Sequence, residues 1–183
     1  MVTQGAVAIL FLSCCLAVKA LAFDGKKTIY ADLADGETRT IGSVTFQPNG
    51  DALSYSVDLN ETVFSEHFLS MRPFKCLDLD RQTVCHLPYP YDLEGQVHPP
   101  DWRDLEYRLL FLFRDDGEYG INFANGYYFR LKQDAERLIG IRYETDMDQL
   151  ASPPPEGLDY PLVETELYES EGDSHRLKRL VIK

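Results

Sequence analysis

The fold is decided by the stretch Val44-Thr45-Phe46-Gln47-Pro48-Asn49-Gly50-Asp51-Ala52-Leu53-Ser54-Tyr55-Ser56-Val57-Asp58-Leu59. Asn49-Gly50 is a preferred dipeptide of the type I′ turn, and apolar residues alternate with polar ones on both sides of it. Pairing about this turn places Phe46 opposite Leu53 and Val44 opposite Tyr55. The stretch therefore predicts a β-hairpin with one apolar and one polar face.

Strand patterns continue on both sides of this hairpin. Residues 28–33 and 37–41 flank an Asp35-Gly36 turn, and residues 127–131 and 138–143 form a further predicted hairpin. Residues 105–113 are apolar at alternate and at intervening positions, which is typical of a central strand covered on both faces. Residues 62–71 carry apolar side chains at three-to-four spacing, which predicts a short helix.

These patterns predict an all-β fold, a single antiparallel meander forming a sandwich or a barrel. We expect about eight to ten strands and at most one short helix. Residues 23–150 form the antiparallel β domain, and residues 151–183 form an irregular extension. The extension begins as an acidic stretch with three successive prolines and ends in a basic segment, 175–183. We expect this basic segment to add an edge strand through Leu177, Leu180 and Ile182, with its charges protecting the edge.

The first 22 residues predict export. Residues 5–18 are apolar, and Ala20-Leu21-Ala22 offers a small-residue cleavage site before Phe23. The apolar run spans about fourteen residues, whereas a membrane-spanning helix needs about twenty. We therefore interpret residues 1–22 as a cleaved signal peptide that leaves no transmembrane anchor. Lipid attachment at Cys14 is the alternative, although Phe11-Leu12-Ser13 matches a lipidation signal poorly.

The chain is strongly acidic, with a formal net charge of −12 at pH 7. Removing residues 1–22 takes away Lys19 alone among the charged side chains and makes the chain more acidic still. Such a charge repels phosphate backbones and anionic lipid, so we expect no binding to nucleic acid. A macromolecular partner is expected to be a basic protein, and the sequence assigns no oligomeric state.

Two cysteines, Cys76 and Cys85, remain after signal cleavage. A hairpin centred between Asp80 and Arg81 places them directly opposite each other, at a distance that a disulfide tolerates. The spacing is not Cys-x-x-Cys, which disfavours a redox or metal site. We therefore predict a structural disulfide, since an even pair of cysteines in an exported chain is usually bonded.

Export and the predicted disulfide together indicate an extracytoplasmic location, and we expect a bacterial periplasm. Secretion and lipid anchoring through Cys14 are the alternatives. In a eukaryotic secretory route, Asn60-Glu61-Thr62 would be a glycan acceptor.

Sequence motifs assign no catalytic, cofactor-binding or metal-ligating residue. Serine hydrolases often carry Gly-x-Ser-x-Gly, and zinc proteases carry His-Glu-x-x-His, and neither motif occurs. Asp78-x-Asp80 and Asp146-x-Asp148 begin like calcium loops but lack the glycine and the glutamate that such loops require. We expect no cofactor.

One aromatic cluster carries a functional hypothesis. Proline-rich residues 86–91, together with His98 and Trp102, present rings with few rotatable bonds, which favours a contact surface. The candidate recognition surface consists of His86, Tyr89, Tyr91, His98 and Trp102. The alternative is that these aromatic side chains cap one end of the sheet and cover its core.

Three classes of function follow. The first is an exported non-enzymatic β-domain that binds another macromolecule, in particular a basic protein. The second is a β-barrel carrier of a small apolar ligand. The third is an enzyme whose site the fold assembles from one of the four histidines, a carboxylate and a nucleophile in a concave pocket.

Overall fold

A computed structural model describes residues 23–162, 166–169 and 175–183 of the chain. The predicted signal peptide, residues 1–22, lies outside the described residues. Its cleavage between Ala22 and Phe23 and the alternative lipidation of Cys14 therefore stay predictions.

Antiparallel strands and their turns account for most of the described chain. The strands are β1 Gly25–Leu33, β2 Thr38–Asn49, β3 Ala52–Leu59, β4 Ser65–Phe68, β5 Pro73–Leu79, β6 Gln82–His86, β7 Gln96–Val97, β8 Phe111–Asp115, β9 Gly126–Asp134, β10 Arg137–Thr145, β11 Tyr168–Glu169 and β12 Leu177–Ile182. One α-helical turn, α1, spans Arg103–Glu106, and short 3-10 helices span Glu61–Val63 and Met147–Ala151.

All twelve strands belong to one sheet, which confirms the predicted all-β antiparallel fold. The hydrogen-bonded path runs β4-β5-β6-β8-β9-β10-β12-β1-β2-β3-β7, and β11 pairs with β10. Strands β4 and β7 are the two ends of this path, so the described strands form an open sheet and not a closed barrel.

The sheet curls back on itself around one apolar core. Strands β2 and β5 lie far apart along the path, yet the Arg39 guanidinium of β2 donates to the carbonyl oxygen of Asp78 in β5 at 3.2 Å. Side chains from both halves of the path share the core, among them Ile29, Phe46, Val84, Phe111 and Leu180. The two halves therefore pack face to face, as in a sandwich.

Strand β12 is central, so the prediction of a basic edge strand is wrong. It pairs with β10 on one side and with β1 on the other, and Leu177, Leu180 and Ile182 are all completely buried. The alternating pattern of a strand is the same at an edge and in the interior, and only the pairing with β1 decides between them. The end of the chain thus joins the two halves of the sheet.

Strand β8 is covered on both faces, as predicted, but it is shorter than expected. Phe111 and Phe113 face the main core, whereas Leu112 packs in a second apolar cluster on the opposite face of the sheet. Residues 105–110, predicted as strand, instead complete α1 and the segment that follows it. Leu105 and Leu109 still reach the main core, which explains why they are apolar.

Residues 62–71 form no α-helix, so that prediction is wrong. Asn60 caps the 3-10 helix, because its side-chain oxygen accepts from the amide of Thr62 at 3.2 Å, and the chain then enters β4. Strand β4 pairs with β5 from Ser65 opposite Cys76 to Phe68 opposite Pro73. Pairing with a neighbouring strand has overridden the weak helical spacing.

The predicted hairpins form, and one of them has a shifted register. In the first hairpin Phe46 pairs with Tyr55 and Val44 with Val57, a shift of two residues that keeps the apolar face. Gly50 becomes the first central turn residue, and its positive φ of 66° suits a type II′ turn. In the cysteine hairpin Cys76 pairs with Cys85 as predicted.

Candidate functional site

The five residues of the candidate recognition surface do not share one exposed face. Trp102 and Tyr89 are buried, with 2% and 7% of their surface exposed, whereas His86 and Tyr91 are half-buried and His98 is exposed. Tyr89 and Trp102 are therefore unavailable to a partner in this conformation. Their burial favours the alternative interpretation, in which the aromatic side chains cover the core.

Trp102 closes the core at one end of the sheet. Its ring lies 5.1 Å from that of Phe23 and 6.1 Å from that of Phe46, measured between centroids. The indole N–H is buried and has no hydrogen-bond partner among the described residues. The Trp102 side chain is thus held by packing.

A second set of tyrosines anchors the start of the C-terminal extension. The Tyr107 ring packs against those of Tyr89 and Tyr160, with centroids 4.8 and 5.3 Å apart. The Tyr107 hydroxyl accepts from the amide of Leu162 at 2.6 Å, and the Tyr91 hydroxyl donates to the carbonyl of Leu150 at 3.1 Å. Residues 151–162 therefore dock on the outer apolar cluster.

Asp104 is a buried carboxylate that binds three segments together. It accepts from the amides of Glu94 and Gly95 at 2.9 and 3.1 Å and from the Tyr55 hydroxyl at 2.5 Å. The Tyr160 hydroxyl donates to it at 3.4 Å. Burial, with Asp104 beside it, raises the pKa of Tyr55, which keeps this hydroxyl protonated. Asp104 has enough partners to be explained as a structural residue.

Glu106 is the second buried carboxylate of α1. The amide of Leu131 donates to it at 2.6 Å, and the Tyr128 hydroxyl donates to its other oxygen. Burial raises the pKa of Glu106, and these two hydrogen bonds partly offset the rise. Glu106 thus fixes α1 against β9.

A cleft of about 440 Å³ opens beside Glu106, between α1, β9 and the extension. This volume lies in the range of small-molecule sites. Its lining combines apolar, aromatic and cationic side chains, including Leu131, Leu158, Leu162, Tyr160, Arg103 and Lys132. None of the four histidines lines it.

Cations form the rim of this cleft, although the chain as a whole is acidic. Tyr128, Arg130 and Lys132 are alternate residues of β9 and share its outer face. Arg103 faces them from α1, with its guanidinium 4.9 Å from the centre of the Tyr160 ring. It also forms an ion pair with Asp101 at 2.6 Å.

Elsewhere the fold brings a histidine, a carboxylate and a hydroxyl together. His175 Nε2 lies 2.7 Å from Glu144 Oε1, and His175 Nδ1 lies 2.7 Å from the Tyr127 hydroxyl. The Tyr127 hydroxyl and the amide of Arg176 both donate to the side-chain oxygen of Gln82, each at 3.1 Å. The cluster therefore fastens the segment before β12 to β6, β9 and β10.

The His175 cluster does not fit the enzyme hypothesis. Tyr127 is completely buried, and burial raises its pKa, so its hydroxyl is neither accessible nor readily ionised. The cleft and the histidine cluster are different places, whereas an acid–base site needs them together.

The most exposed large apolar side chains of the described residues lie at the end of β4 and in two adjacent loops. Phe68, Met71 and Tyr119 have 77%, 100% and 105% of their surface exposed. The two loops lie side by side. A methyl group added at Gly120 in one loop would lie 3.5 Å from the carbonyl oxygen of Leu69 in the other. We call Phe68, Met71 and Tyr119 the apolar tip.

Comparisons of this chain with models of known families, with curated proteins and with solved structures found no match. Within residues 23–162, 166–169 and 175–183, no three His, Cys, Asp or Glu side chains are grouped to hold a metal ion. The same residues contain no helix of sufficient length and apolarity to cross a membrane. The buried Cys76–Cys85 disulfide is consistent with an extracytoplasmic location.

Sequence reasoning identified neither the cleft nor the apolar tip. The acidic residues Asp104 and Glu106, which alternate with the apolar residues Leu105 and Tyr107, were the available signal for buried carboxylates. The apolar tip has no such signal, because single apolar residues in loops look like ordinary surface residues.

Proposed function

We propose that this protein is an exported, non-enzymatic β-domain that binds a basic segment of another protein beside β4. The exposure of Phe68 at the end of β4, and of Met71 and Tyr119 in two adjacent loops, carries the proposal. Exposed apolar side chains that cluster often mark interaction sites, whereas single ones are normal. This chain buries most of its other aromatic rings.

The edge of the sheet supports an extended partner. Strand β4 ends the hydrogen-bonded path and, among the described strands, pairs with β5 alone. Half of the backbone amides and carbonyls of such a strand point away from its neighbour and are open to pairing. An extended segment can add there as a further strand, with its side chains reaching the apolar tip.

Charge supports a basic partner. The whole chain carries a net charge of −12, Asp115 ends β8, and Asp116 and Glu118 lie in the loop that holds Tyr119. All three are exposed, and Glu66 on β4 is exposed as well. An acidic field speeds the approach of a cationic segment and disfavours an anionic one.

Titration with two synthetic peptides tests this function. A peptide of alternating lysine and valine should protect the amides of Ser65–Phe68 from hydrogen exchange and shift their resonances. A peptide of alternating glutamate and valine should not. Equal binding of both peptides, or protection located elsewhere, would contradict the proposal.

Two variants make the test specific. Met71→Ser combined with Tyr119→Ser should weaken the binding of the lysine–valine peptide. The melting temperature should not change, because both side chains are fully exposed. Tyr168→Ser is the matched control, since Tyr168 is also exposed but lies on β11. Unchanged affinity in the double variant would remove the apolar tip from the proposal.

Within this proposal the compartment is a bacterial periplasm. The predicted signal peptide and the disulfide support export. Release by osmotic shock is the expected result in a fractionation of the host. Recovery from the medium would favour secretion, and recovery with membranes would favour lipidation at Cys14.

A further inference from the structure

The cleft beside α1 differs in chemistry from the rest of the molecule. Arg103, Arg130 and Lys132 line it, against the carboxylates of Asp101 and Glu106. Burial raises the pKa of the Glu106 carboxyl, and its two oxygens accept hydrogen bonds from the Tyr128 hydroxyl and the Leu131 amide. Cationic residues are thus concentrated at a concave site of an acidic chain.

The basic character continues across the outer face of the sheet. Arg130 on β9 pairs with Ile141 on β10, which in turn pairs with Arg179 on β12. Arg179 is exposed and forms an ion pair with Asp32 at 2.6 Å. An anion that approaches the cleft therefore meets cations and an exposed isoleucine.

The opposite wall of the cleft is apolar. Leu158, Leu162 and Leu167 from the extension line it. Leu158 is partly exposed, so apolar surface is left uncovered at the mouth. An apolar wall facing a cationic rim is complementary to a molecule with a short hydrocarbon body and one acidic group.

We propose that this cleft binds a small amphipathic anion, with its carboxylate at Lys132 and Arg103 and its hydrocarbon part against Leu158, Leu162 and Leu167. Lys132 is exposed at the rim. Arg103 is kept in place by Asp101 and Tyr160, so it loses little conformational freedom when a ligand binds. The site is separate from the apolar tip.

Decanoate and 4-phenylbutyrate are suitable probes, compared with decanol and decyltrimethylammonium. The fluorescence of Trp102, the single tryptophan of the chain, reports binding because this residue lines the cleft. We expect saturable binding of both carboxylates, weaker binding of decanol and none of the cation. Equal binding of decanoate and decanol, or no saturable binding of either carboxylate, would overturn the proposal.

Matched variants locate the ligand. Lys132→Gln should weaken the binding of decanoate about tenfold, the size expected for a lost charge-assisted hydrogen bond, and leave the affinity for decanol unchanged. Lys26→Gln is the control, because Lys26 is exposed and does not line the cleft. Leu158→Ser should weaken decanoate and decanol alike. An unchanged decanoate affinity in Lys132→Gln would contradict the assignment, and the Met71→Ser and Tyr119→Ser changes should leave all these affinities unaffected.

Discussion

The ring of Phe23 lies 5.1 Å from the indole of Trp102, and both side chains are almost completely buried. Phe23 is also the residue that follows the predicted cleavage site. Cleavage after Ala22 keeps this ring in the core, whereas cleavage one residue later would remove it. The packing of Phe23 therefore limits how far into the chain a signal peptidase can cut without loss of stability.

Phe23→Ala should lower the free energy of unfolding by about 3–5 kcal/mol, because it leaves a cavity beside Trp102. Urea denaturation followed by tryptophan fluorescence measures this directly. Asp24→Ala is the control, since Asp24 is exposed and its loss should change stability by less than about 0.5 kcal/mol. Equal effects of the two substitutions would show that Phe23 does not belong to the core.

Reduction of the Cys76–Cys85 disulfide should lower the free energy of unfolding by about 2.5–3 kcal/mol. The bond joins residues nine positions apart, and the estimate is the chain entropy that a loop of this size restores to the unfolded state. Denaturation with and without reductant measures the difference. A Cys76→Ala and Cys85→Ala double variant should be insensitive to reductant, and a wild-type protein that is equally insensitive would contradict the bond.

Leu180→Ala should lower the free energy of unfolding by about 2–5 kcal/mol, the range for truncating a fully buried leucine. Arg179→Ala should cost less than about 1 kcal/mol, since Arg179 is exposed and its ion pair with Asp32 is near the surface. Thermal or urea unfolding distinguishes the two. A small effect of Leu180→Ala would mean that β12 is a dispensable edge strand after all.

The protein should lose stability as the pH falls below about 6.5, the ordinary pKa of histidine. Burial lowers the pKa of His86, and the hydrogen bond from the ring to the Arg108 carbonyl at 3.0 Å only partly offsets this. The unfolded chain therefore takes up the proton first, so stability is full above pH 6.5 and declines as the pH falls through the folded pKa. The pKa of His175 is lowered too, chiefly by burial, while Glu144 opposes and Arg142 adds to the shift.

Unfolding free energies measured at pH 7.5 and 5.5 give the slope of stability against pH. This slope cannot exceed about 1.4 kcal/mol per pH unit for each histidine. His86→Gln keeps a donor near the Arg108 carbonyl and should reduce the slope. A slope that His86→Gln leaves unaltered would contradict the burial argument.

The local sequence pattern predicted which residues form strands better than it predicted which strands pair with each other. The cysteine hairpin was placed in register because Cys76 and Cys85 must face each other to bond, a constraint that is read within ten residues of sequence. The central position of β12 depends on β1, at the other end of the domain, and no local pattern contains that information. The helix predicted for 62–71 failed for the same reason, because pairing with β5 decides its structure.

The candidate sites were harder to predict than the strands. The cleft is assembled from α1, β9 and the extension, which are widely separated in sequence. Tyr89 and Trp102 were expected at an exposed surface because prolines surround them, yet the tyrosines and the core bury both rings. Burial is a property of the packed fold, so composition alone does not separate a ring that covers the core from one that contacts a partner.

An intact mass of the protein isolated from its host without reductant, after exposure to iodoacetamide in denaturant, tests export and oxidation together, because Cys76 and Cys85 are buried in the folded protein. The account predicts one species that begins at Phe23 and carries no alkyl group, because Cys76 and Cys85 are bonded. A species that retains residues 1–22, or one with both thiols alkylated, would contradict it.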